Sequence, residues 1–298
     1  MKRLICLLFA ALLLCSAAPA EEAAFGPLPM DLTPGHVAAE DKFTEDGYQD
    51  ESLTVQMSHV IFDETTTIHV ARVKIADPTQ LRTAVTPKGK TNKVSTLARQ
   101  NNAVVAIGGE YFSNEKGGYV LRMGQVQDNR KKPRNSRDML CVDAAGNFHI
   151  LIRSAANKEF AGQLKALTEA EAPLVNVFNF GPALVIDGQL QEIPKKYSYN
   201  PGGREPRCAI GQLGELEYLL VVVDSNKRDG KGGLSMGKLA QFMLEQGCVQ
   251  AYNLDGGNSA LMVFHGKNYS NKSFEAERAV SDIIYIATAV DYGLDGTK

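Results

Sequence analysis

An acid followed by two glycines, at the end of an apolar run, is the feature of this sequence best suited to chemistry. The run Val249–Leu254 stops at Asp255, and Gly256 and Gly257 follow before a second apolar run begins at Leu261. Glycine admits backbone conformations closed to other residues and leaves no side chain in the way of a ligand. The pattern predicts a carboxylate at a strand end beside accessible backbone, although a tight hairpin has a similar sequence.

A second carboxylate stands in a similar setting. The apolar run Ala103–Ile107 leads into Gly108 and Gly109, and Glu110 follows. A plain core strand and turn would also fit this pattern. Two carboxylates on opposite sides of a bond are the equipment of glycoside cleavage, so the repeated arrangement indicates a sugar-directed site.

Two arginines add a second kind of chemistry. Arg207 opens an apolar run and Arg278 lies just before the last one. Arginine binds phosphate bidentately, although a surface ion pair is the alternative for each. Acids and arginines together suit a sugar attached through phosphate. Because a phosphate leaving group needs little protonation, arginine charge can replace much of a general acid, and one carboxylate activates water or attacks the anomeric carbon.

Composition narrows the possible partners and cofactors. The net charge is -2 with 22% charged residues, so no nucleic-acid partner is predicted. The sequence contains five histidines and neither a Cys-x-x-Cys nor a His-x-x-x-His motif, so we expect no zinc site and no cofactor. Calcium bound by Asp224 and Asp255 is a further alternative, without EF-hand spacing. Cys141, Cys208 and Cys248 allow one disulfide at most or buried free thiols.

The N-terminus predicts export. Lys2-Arg3 precedes the apolar stretch Leu4–Leu14, and Ala18–Ala20 resembles a cleavage site. This is the pattern of a secretory signal peptide over residues 1–20, which predicts a secreted or cell-envelope protein. We expect a leader or loose linker over residues 21–52, because they are rich in Pro, Gly and acids. The remaining residues, 53–298, form the predicted domain, in which no transmembrane segment is expected.

Strands dominate the predicted domain. Three segments show helical patterns: Val94–Gln100, Lys158–Leu167 and Ser235–Gln246. The last lies between the strand-like runs Tyr218–Val223 and Val249–Leu254, and such a crossover places the two strands parallel. Asp224 and Asp255 would then emerge at the same carboxyl edge, where open α/β sheets bind ligands.

Five segments, in this order, resemble the phosphodiester glycosidase family. They are Ala106–Phe112, Phe178–Leu184, Pro206–Gly211, Asn253–Ser259 and Glu277–Asp282, within a region of resemblance from Ala84 to Ala289. The resemblance implies an α+β domain with mixed, strand-rich sheets and about three helices packed on them. It also implies an exported hydrolase that breaks the C1–oxygen bond of an N-acetylglucosamine-1-phosphodiester-like substrate. Bacterial members of the family are associated with exopolysaccharide.

The resemblance assigns roles to residues of the five segments, and the strand-end argument above adds Asp224. Asp255 and Glu110 are the predicted catalytic acids. The predicted substrate-binding residues are Gly109, Asn179, Gly181, Arg207, Asp224, Gly256, Gly257, Asn258, Ser259 and Arg278. Of these, Arg207 and Arg278 are expected to hold phosphate.

This chain departs from the family motifs at three positions. Gly108 stands where the family usually has Asn, Cys208 where it has Thr, and Asn258 where it has a third Gly. The first change bears on substrate identity. Two alternatives therefore stay open, a non-catalytic glycan-binding protein of the envelope and a metal-dependent phosphodiesterase.

Overall fold

The computed structural model describes residues 25–112, 118–130, 137–153, 158–225, 232–270 and 276–295. The predicted signal peptide lies outside these residues. Within the described ranges, no helix has the length and apolar character needed to cross a bilayer.

Short strands make up most of the fold, with three α-helices among the described residues. The helices are α1 (Val94–Gln100), α2 (Phe160–Thr168) and α3 (Met236–Glu245). The strands are β1 (Phe43–Thr44), β2 (Gly47–Gln49), β3 (Leu53–Asp63), β4 (Thr66–Ile75), β5 (Leu81–Val85), β6 (Asn92–Lys93), β7 (Val105–Gly108), β8 (Gly118–Arg122), β9 (Gln125–Arg130), β10 (Met139–Asp143), β11 (Phe148–Leu151), β12 (Leu174–Phe178), β13 (Ala183–Ile186), β14 (Gln189–Leu190), β15 (Arg207–Gly214), β16 (Glu217–Ser225), β17 (Gln250–Leu254), β18 (Met262–Phe264), β19 (Lys267–Asn268), β20 (Ala279–Val280) and β21 (Asp282–Ile286). Short 3₁₀ turns cover Glu40–Lys42, Pro78–Gln80 and Gly257–Ser259.

The strands form one large sheet and three smaller ones. The large sheet has the order β1-β2-β3-β4-β16-β15-β17-β13-β14. Two five-stranded sheets have the orders β11-β10-β12-β8-β9 and β19-β18-β7-β21-β5, and β20 pairs with β6. The main core lies between the large sheet and the two five-stranded sheets, and the helices cover outer faces. The predicted α+β class with strand-rich sheets and three helices is confirmed.

Helix α3 follows from its local sequence. Met236, Leu239, Ala240 and Met243 form one buried face, as their spacing at i, i+3, i+4 and i+7 predicts. The hydroxyl of Ser235 accepts a hydrogen bond from the Lys238 N–H and caps the helix start. This face packs on the outer side of the large sheet, so the helix fixes the sheet that carries the end of β17.

The two strands predicted to run parallel do so, but they are separated in the sheet by a third strand. Strands β16 and β17 run in the same direction, but β15 lies between them and is antiparallel to both. The local pattern of strand, helix and strand cannot reveal an earlier strand that inserts between its two ends. As a result, the start of β15, with Arg207, lies beside the end of β17.

Residues 25–52 pack on the domain instead of forming a loose linker. Strands β1 and β2 extend the large sheet at its edge. Arg82, which is fully buried, donates its Nη hydrogen bonds to the carbonyls of Pro29, Asp31, Thr33 and Thr79, and its Nε bonds the Tyr285 hydroxyl. All five N–H groups of this guanidinium are therefore used. Arg82 binds main-chain carbonyls of the N-terminal segment, and every residue type has such a carbonyl. The side-chain composition of the segment therefore does not reveal that it is attached to the domain.

We expect Arg82→Met to release this N-terminal segment. The change removes five charge-assisted hydrogen bonds from a buried position, so the free energy of unfolding should fall by about 3 kcal/mol or more. Limited proteolysis should then cut within residues 25–40 before the rest of the domain. Arg99→Met, at an exposed arginine, is the matched control. Equal stability and equal protease resistance of the two variants would contradict this role of Arg82.

Candidate active site

A cleft with a volume of about 380 Å³ opens where β17 ends and β15 begins. Its walls combine acids, arginines, amides and three aromatic rings. The lining residues are Tyr111, Phe180, Tyr199, Asn200, Glu205, Arg207, Asn253, Leu254, Asp255, Gly256, Gly257, Asn258 and Arg278. The predicted residues Arg207, Asp255, Gly256, Gly257, Asn258 and Arg278 thus share one cleft. The predicted residues that do not line it are Gly109, Glu110, Asn179, Gly181, Asp224 and Ser259.

Asp255 stands at the cleft because the backbone on both sides of it is fixed. Its N–H donates to the carbonyl of Gly109 at 3.1 Å, and the Gly257 N–H donates to the carbonyl of Pro206 at 2.8 Å. Asp255 as a whole is only 9% exposed to solvent. Asp255 is therefore a largely buried acid with access to one cavity, which is the setting of a reactive carboxylate.

The positions of Gly256 and Gly257, which follow Asp255, favour glycine for two different physical reasons. A Cβ on Gly256 would lie 2.5 Å from the Pro206 carbonyl oxygen, so a side chain does not fit there. Gly257 has φ +56°, a left-handed conformation that favours glycine, and no atom lies within 4 Å of a Cβ built on it. Gly257 therefore leaves part of the cleft open.

Glu110 lies behind the cleft in a buried ion cluster with Arg122 and Asp282. Arg122 Nη2 is 3.1 Å from Glu110 Oε1, and Arg122 Nε donates to Asp282 Oδ2 at 2.7 Å. Asp282 Oδ1 accepts the backbone N–H of Glu110 at 2.9 Å. The Arg122 guanidinium also stacks 3.9 Å from the centre of the Phe178 ring. Among the described residues Glu110 does not face the cleft, so its predicted direct role as the second acid does not fit this position.

The Asp282 carboxylate also explains the first glycine motif. A Cβ on Gly109 would lie 2.6 Å from Asp282 Cγ, and one on Gly108 would lie 2.8 Å from the Ser259 carbonyl oxygen. These glycines are thus required by protein atoms, and Gly109 does not leave room for a sugar. Gly108 replaces the family's Asn at a place where this backbone has no room for a side chain.

Burial raises the pKa values of both acids in the cluster. It raises the pKa of Glu110 from 4.5 to about 7; Arg122 opposes this shift and the charge of Asp282 adds to it. Burial likewise raises the pKa of Asp282, against the effect of Arg122, and the charge of Asp255 raises it further. The cleft acid and the buried cluster are therefore linked electrostatically.

Two of the predicted sugar ligands, Asn179 and Gly181, are engaged by protein atoms. Asn179 donates its backbone N–H to Glu110 Oε2 and its side-chain amide to the Tyr119 carbonyl at 2.6 Å. Gly181 has φ +62°, and a Cβ there would collide with the Tyr197 hydroxyl at 2.3 Å. Ser259 is buried, and its Oγ has no hydrogen-bond partner among the described residues. These positions support the back of the cleft, and direct sugar contact does not fit Asn179 or Gly181.

Asp224 is far more enclosed than predicted. It is fully buried, and its Oδ2 lies 2.6 Å from His69 Nε2. His69 comes from β4, the neighbour of β16, so the pair forms inside the large sheet. Asp224 is not among the residues that line the cleft, so neither its predicted substrate contact nor the alternative of calcium shared with Asp255 fits this position.

The two predicted phosphate-binding arginines differ in their surroundings. Arg207 is buried and donates to four backbone carbonyls, those of Leu234, Tyr199, Asn200 and Gly203. Burial lowers the pKa of its guanidinium to about 10. This guanidinium is therefore largely committed to the protein.

Arg278 is half-buried and lies at the cleft, 4.1 Å from the centre of the Tyr111 ring. It makes no ion pair with the acids of the described chain. The adjacent Glu277 accepts the N–H and hydroxyl of Ser95 at the start of α1, which anchors this segment. The half-buried guanidinium of Arg278 is thus fixed by its neighbours and available for an anion.

Several important residues were not predicted. Arg122 ends an apolar strand, where a solvent-facing charge is the ordinary outcome, and Asp282 belonged to a recognised motif without an assigned role. Glu205 and Tyr199 lie in a polar, proline- and glycine-rich segment that resembles an ordinary loop. The three free cysteines are buried, as one of the two alternatives held.

We expect Glu110→Gln to change how stability depends on pH. The folded protein holds the Glu110 proton up to about pH 7, whereas the unfolded chain releases it near its ordinary pKa of 4.5. The stabilising effect is fully present below the unfolded pKa and is lost as pH rises through the folded pKa. Wild-type stability from urea denaturation should therefore fall between about pH 4.5 and pH 7 more steeply than that of Glu110→Gln. An exposed-site control, Glu215→Gln, should follow the wild type, and a Glu110→Gln curve parallel to both would refute the shift.

This chain is similar to known proteins both in sequence and in fold. The model of the phosphodiester glycosidase family matches residues 101–287. The SPbeta prophage-derived uncharacterized protein YomE of Bacillus subtilis strain 168 is 31% identical over 112 residues, which are 38% of this chain and 17% of that protein. The matched region thus spans less than a fifth of that relative.

Two solved structures share the fold. The catalytic domain of zebrafish N-acetylglucosamine-1-phosphodiester alpha-N-acetylglucosaminidase, auto-inhibited by its pro-peptide, aligns with a TM-score of 0.60 and 17% identity over 85% of this chain and 87% of that chain. A hypothetical protein from Synechocystis aligns with a TM-score of 0.52 and 18% identity over 79% of this chain and 62% of that one. The family match covers most of the strands that build the cleft and confirms the resemblance carried by the five motifs. This chain belongs to the phosphodiester glycosidase family.

Proposed function

We propose that this protein is an exported glycosidase that hydrolyses the bond between a sugar C1 and the bridging oxygen of a glycosyl phosphodiester. One observation carries the proposal: Asp255 and Arg278 line the same cleft. A carboxylate can activate water or attack C1, and a guanidinium stabilises the phosphate that leaves. The N-terminal signal pattern supports export.

The chemistry fits a phosphate leaving group better than a simple glycoside. The departing phosphate carries its own negative charge, so charge balance by Arg278 helps more than protonation by an acid. Asp255 can therefore act without a strong general acid close to the leaving oxygen. The N-acetylglucosamine phosphodiester named for the zebrafish enzyme is the substrate class that we propose here.

The buried cluster has a supporting role in this proposal. Arg122 holds Asp282 and Glu110, and the carbonyl of Gly109 holds the backbone of Asp255. The cluster fixes the position of the reacting carboxylate. We assign Glu110 to this positioning role.

A non-catalytic glycan-binding protein is the second candidate function. The aromatic side chains of Tyr111, Phe180 and Tyr199 at the cleft favour it, because sugars stack on aromatic faces. Incubation with an N-acetylglucosamine phosphodiester or envelope polymer separates the two functions. Sugar release identifies the enzyme, and retention without release identifies the binding protein.

We expect Asp255→Asn to abolish most of the turnover. Loss of the carboxylate that reacts with water or C1 should lower kcat by about 10²–10⁴-fold on an N-acetylglucosamine phosphodiester. Asp41→Asn, at an exposed acid, should keep wild-type kcat. Undiminished kcat in Asp255→Asn, with sugar still released, would remove Asp255 from the mechanism.

Arg278→Gln tests the phosphate contact. We expect kcat/KM for a glycosyl phosphodiester to fall by about 10–100-fold, the effect of one charge-assisted contact. A neutral aryl glycoside of the same sugar lacks the phosphate, so its kcat/KM should change far less. Arg99→Gln, at an exposed arginine, controls for net charge. Equal losses on the charged and the neutral substrate would contradict phosphate binding by Arg278.

A further inference from the structure

One wall of the cleft is a turn with unusual backbone. Tyr199 and Asn200 have φ values of +63° and +50°, and neither is glycine. Left-handed conformation is uncommon for residues other than glycine, least so for asparagine, so the surrounding structure must hold Tyr199 above all in place. Both residues line the cleft.

Arg207 holds this turn in its left-handed conformation. Its Nη atoms donate to the carbonyls of Tyr199, Asn200 and Gly203 at 3.1, 2.8 and 3.0 Å, and its Nε donates to the Leu234 carbonyl at 3.0 Å. The guanidinium has five N–H groups, and four of them are used on this wall. Arg207 therefore shapes the turn, and its predicted role as a phosphate ligand is a poor fit.

The same turn orients the side chain of an acidic residue, Glu205. The side-chain amide of Asn200 donates to Glu205 Oε1 at 2.9 Å. Glu205 is half-buried and lines the cleft together with Asp255. Its backbone is fixed by two hydrogen bonds with Leu234, at 3.3 and 3.0 Å. Glu205 thus has a fixed main chain, one oxygen bound to Asn200 and access to the cavity.

Glu205 and Asp255 line the same cleft from neighbouring segments of the chain. Glu205 immediately precedes Pro206, whose carbonyl accepts the Gly257 N–H at 2.8 Å. Hydrogen-bonded neighbouring chains run about 4.8 Å apart, so the two acidic residues lie on adjacent chains. Gly257 lines the same cleft and has open space where a Cβ would be, which leaves room for a ligand beside Asp255.

We propose that Glu205 is the second acid–base group of this site and that Arg207 is its positioning residue, acting through Asn200. The proposal rests on the proposed hydrolase function. Among the described residues, Asp255 and Glu205 are the carboxylates that line the cleft. Asp255 is the more buried of the two and suits attack on C1, whereas the more exposed Glu205 is reached by incoming water.

The reaction then has two balanced steps. In the first, an oxygen of Asp255 bonds to C1, the C1–O bond to phosphate breaks, and its electron pair leaves with the phosphate beside Arg278. In the second, water attacks C1, Glu205 takes a proton from that water, and the bond from C1 to Asp255 breaks. Asp255 regains its charge, and Glu205 returns its proton to solvent. The sugar is released with its anomeric configuration retained.

Glu205→Gln tests this assignment with an N-acetylglucosamine phosphodiester. Because the base acts in the second step, kcat should fall by about 10²-fold or more, whereas kcat/KM should change by less than about 3-fold. Quenched-flow should show a burst of one equivalent of phosphomonoester. Mass spectrometry should show protein heavier by one glycosyl group, and azide should restore turnover and yield a glycosyl azide. Glu215→Gln, at an exposed glutamate, should behave as the wild type.

The positioning role has its own variants. Asn200→Gly keeps the left-handed backbone and removes the amide, so we expect kcat to fall by about 10-fold, with partial rescue by azide. Arg207→Lys, assayed after confirmation of its fold, should lower kcat in the same way and bind inorganic phosphate within about 3-fold of the wild type. Phosphate binding should instead weaken in Arg278→Gln by about 10-fold or more.

The outcomes are distinguishable. No turnover by the wild type would defeat the proposed function. Wild-type turnover with an unchanged kcat in Glu205→Gln, or a lowered kcat without adduct and without azide rescue, would overturn this inference alone. Loss of phosphate binding in Arg207→Lys with full kcat in Asn200→Gly would return Arg207 to the phosphate.

Discussion

The buried guanidinium of Arg122 between the carboxylates of Glu110 and Asp282 is the interaction on which the site depends. Arg122 ends β8, Glu110 follows β7, and Asp282 begins β21, so one cation joins three strands from two sheets. Removal of one partner from a buried ion pair leaves an uncompensated charge and costs about 3–5 kcal/mol. The cluster therefore fixes how the two five-stranded sheets meet. It also fixes the loop that holds the backbone of Asp255.

The site has two walls with different physics. The back wall is the buried cluster of Arg122, Glu110 and Asp282, whose acids accept backbone N–H groups and hold that backbone in place. The front wall is a turn on which Arg207 binds carbonyls and through which Asn200 reaches Glu205. In each wall a buried arginine, Arg122 or Arg207, holds neighbouring segments together through hydrogen bonds, as Arg82 does for the N-terminal segment. Arg278 differs from these three, because its guanidinium faces a cavity. Its position therefore distinguishes a ligand-binding arginine from a structural one.

Local sequence predicted the parts of the fold that local physics determines. Helix α3 followed from its apolar spacing, and Asp255 followed from an apolar run that stops at an acid and two glycines. Gly256 and Gly257 were predicted to leave the backbone accessible, and Gly257 does so. For Gly256 and Gly109 the reason is different, because the Pro206 carbonyl and the Asp282 carboxylate occupy the space of a side chain.

The remaining features depend on contacts between residues distant in the chain. Asp224 looked like a ligand at a strand end, but His69, 155 residues away in sequence, binds it inside the sheet. Nothing local marks Arg122 as buried, because its partners come from β7 and β21. The insertion of β15 between β16 and β17 also lies beyond any local pattern. Since this insertion brings Glu205 and Arg207 beside Asp255, the front wall of the site could not be read from the motifs.

The central claim is that the cleft breaks the sugar C1–oxygen bond of a phosphodiester, and an isotope measurement tests it directly. Hydrolysis of an N-acetylglucosamine phosphodiester in ¹⁸O-labelled water, followed by mass spectrometry of both products, locates the broken bond. The account predicts ¹⁸O in the C1 hydroxyl of the sugar and none in the phosphomonoester. Label in the phosphate would mean that the phosphorus–oxygen bond breaks, and it would contradict the account.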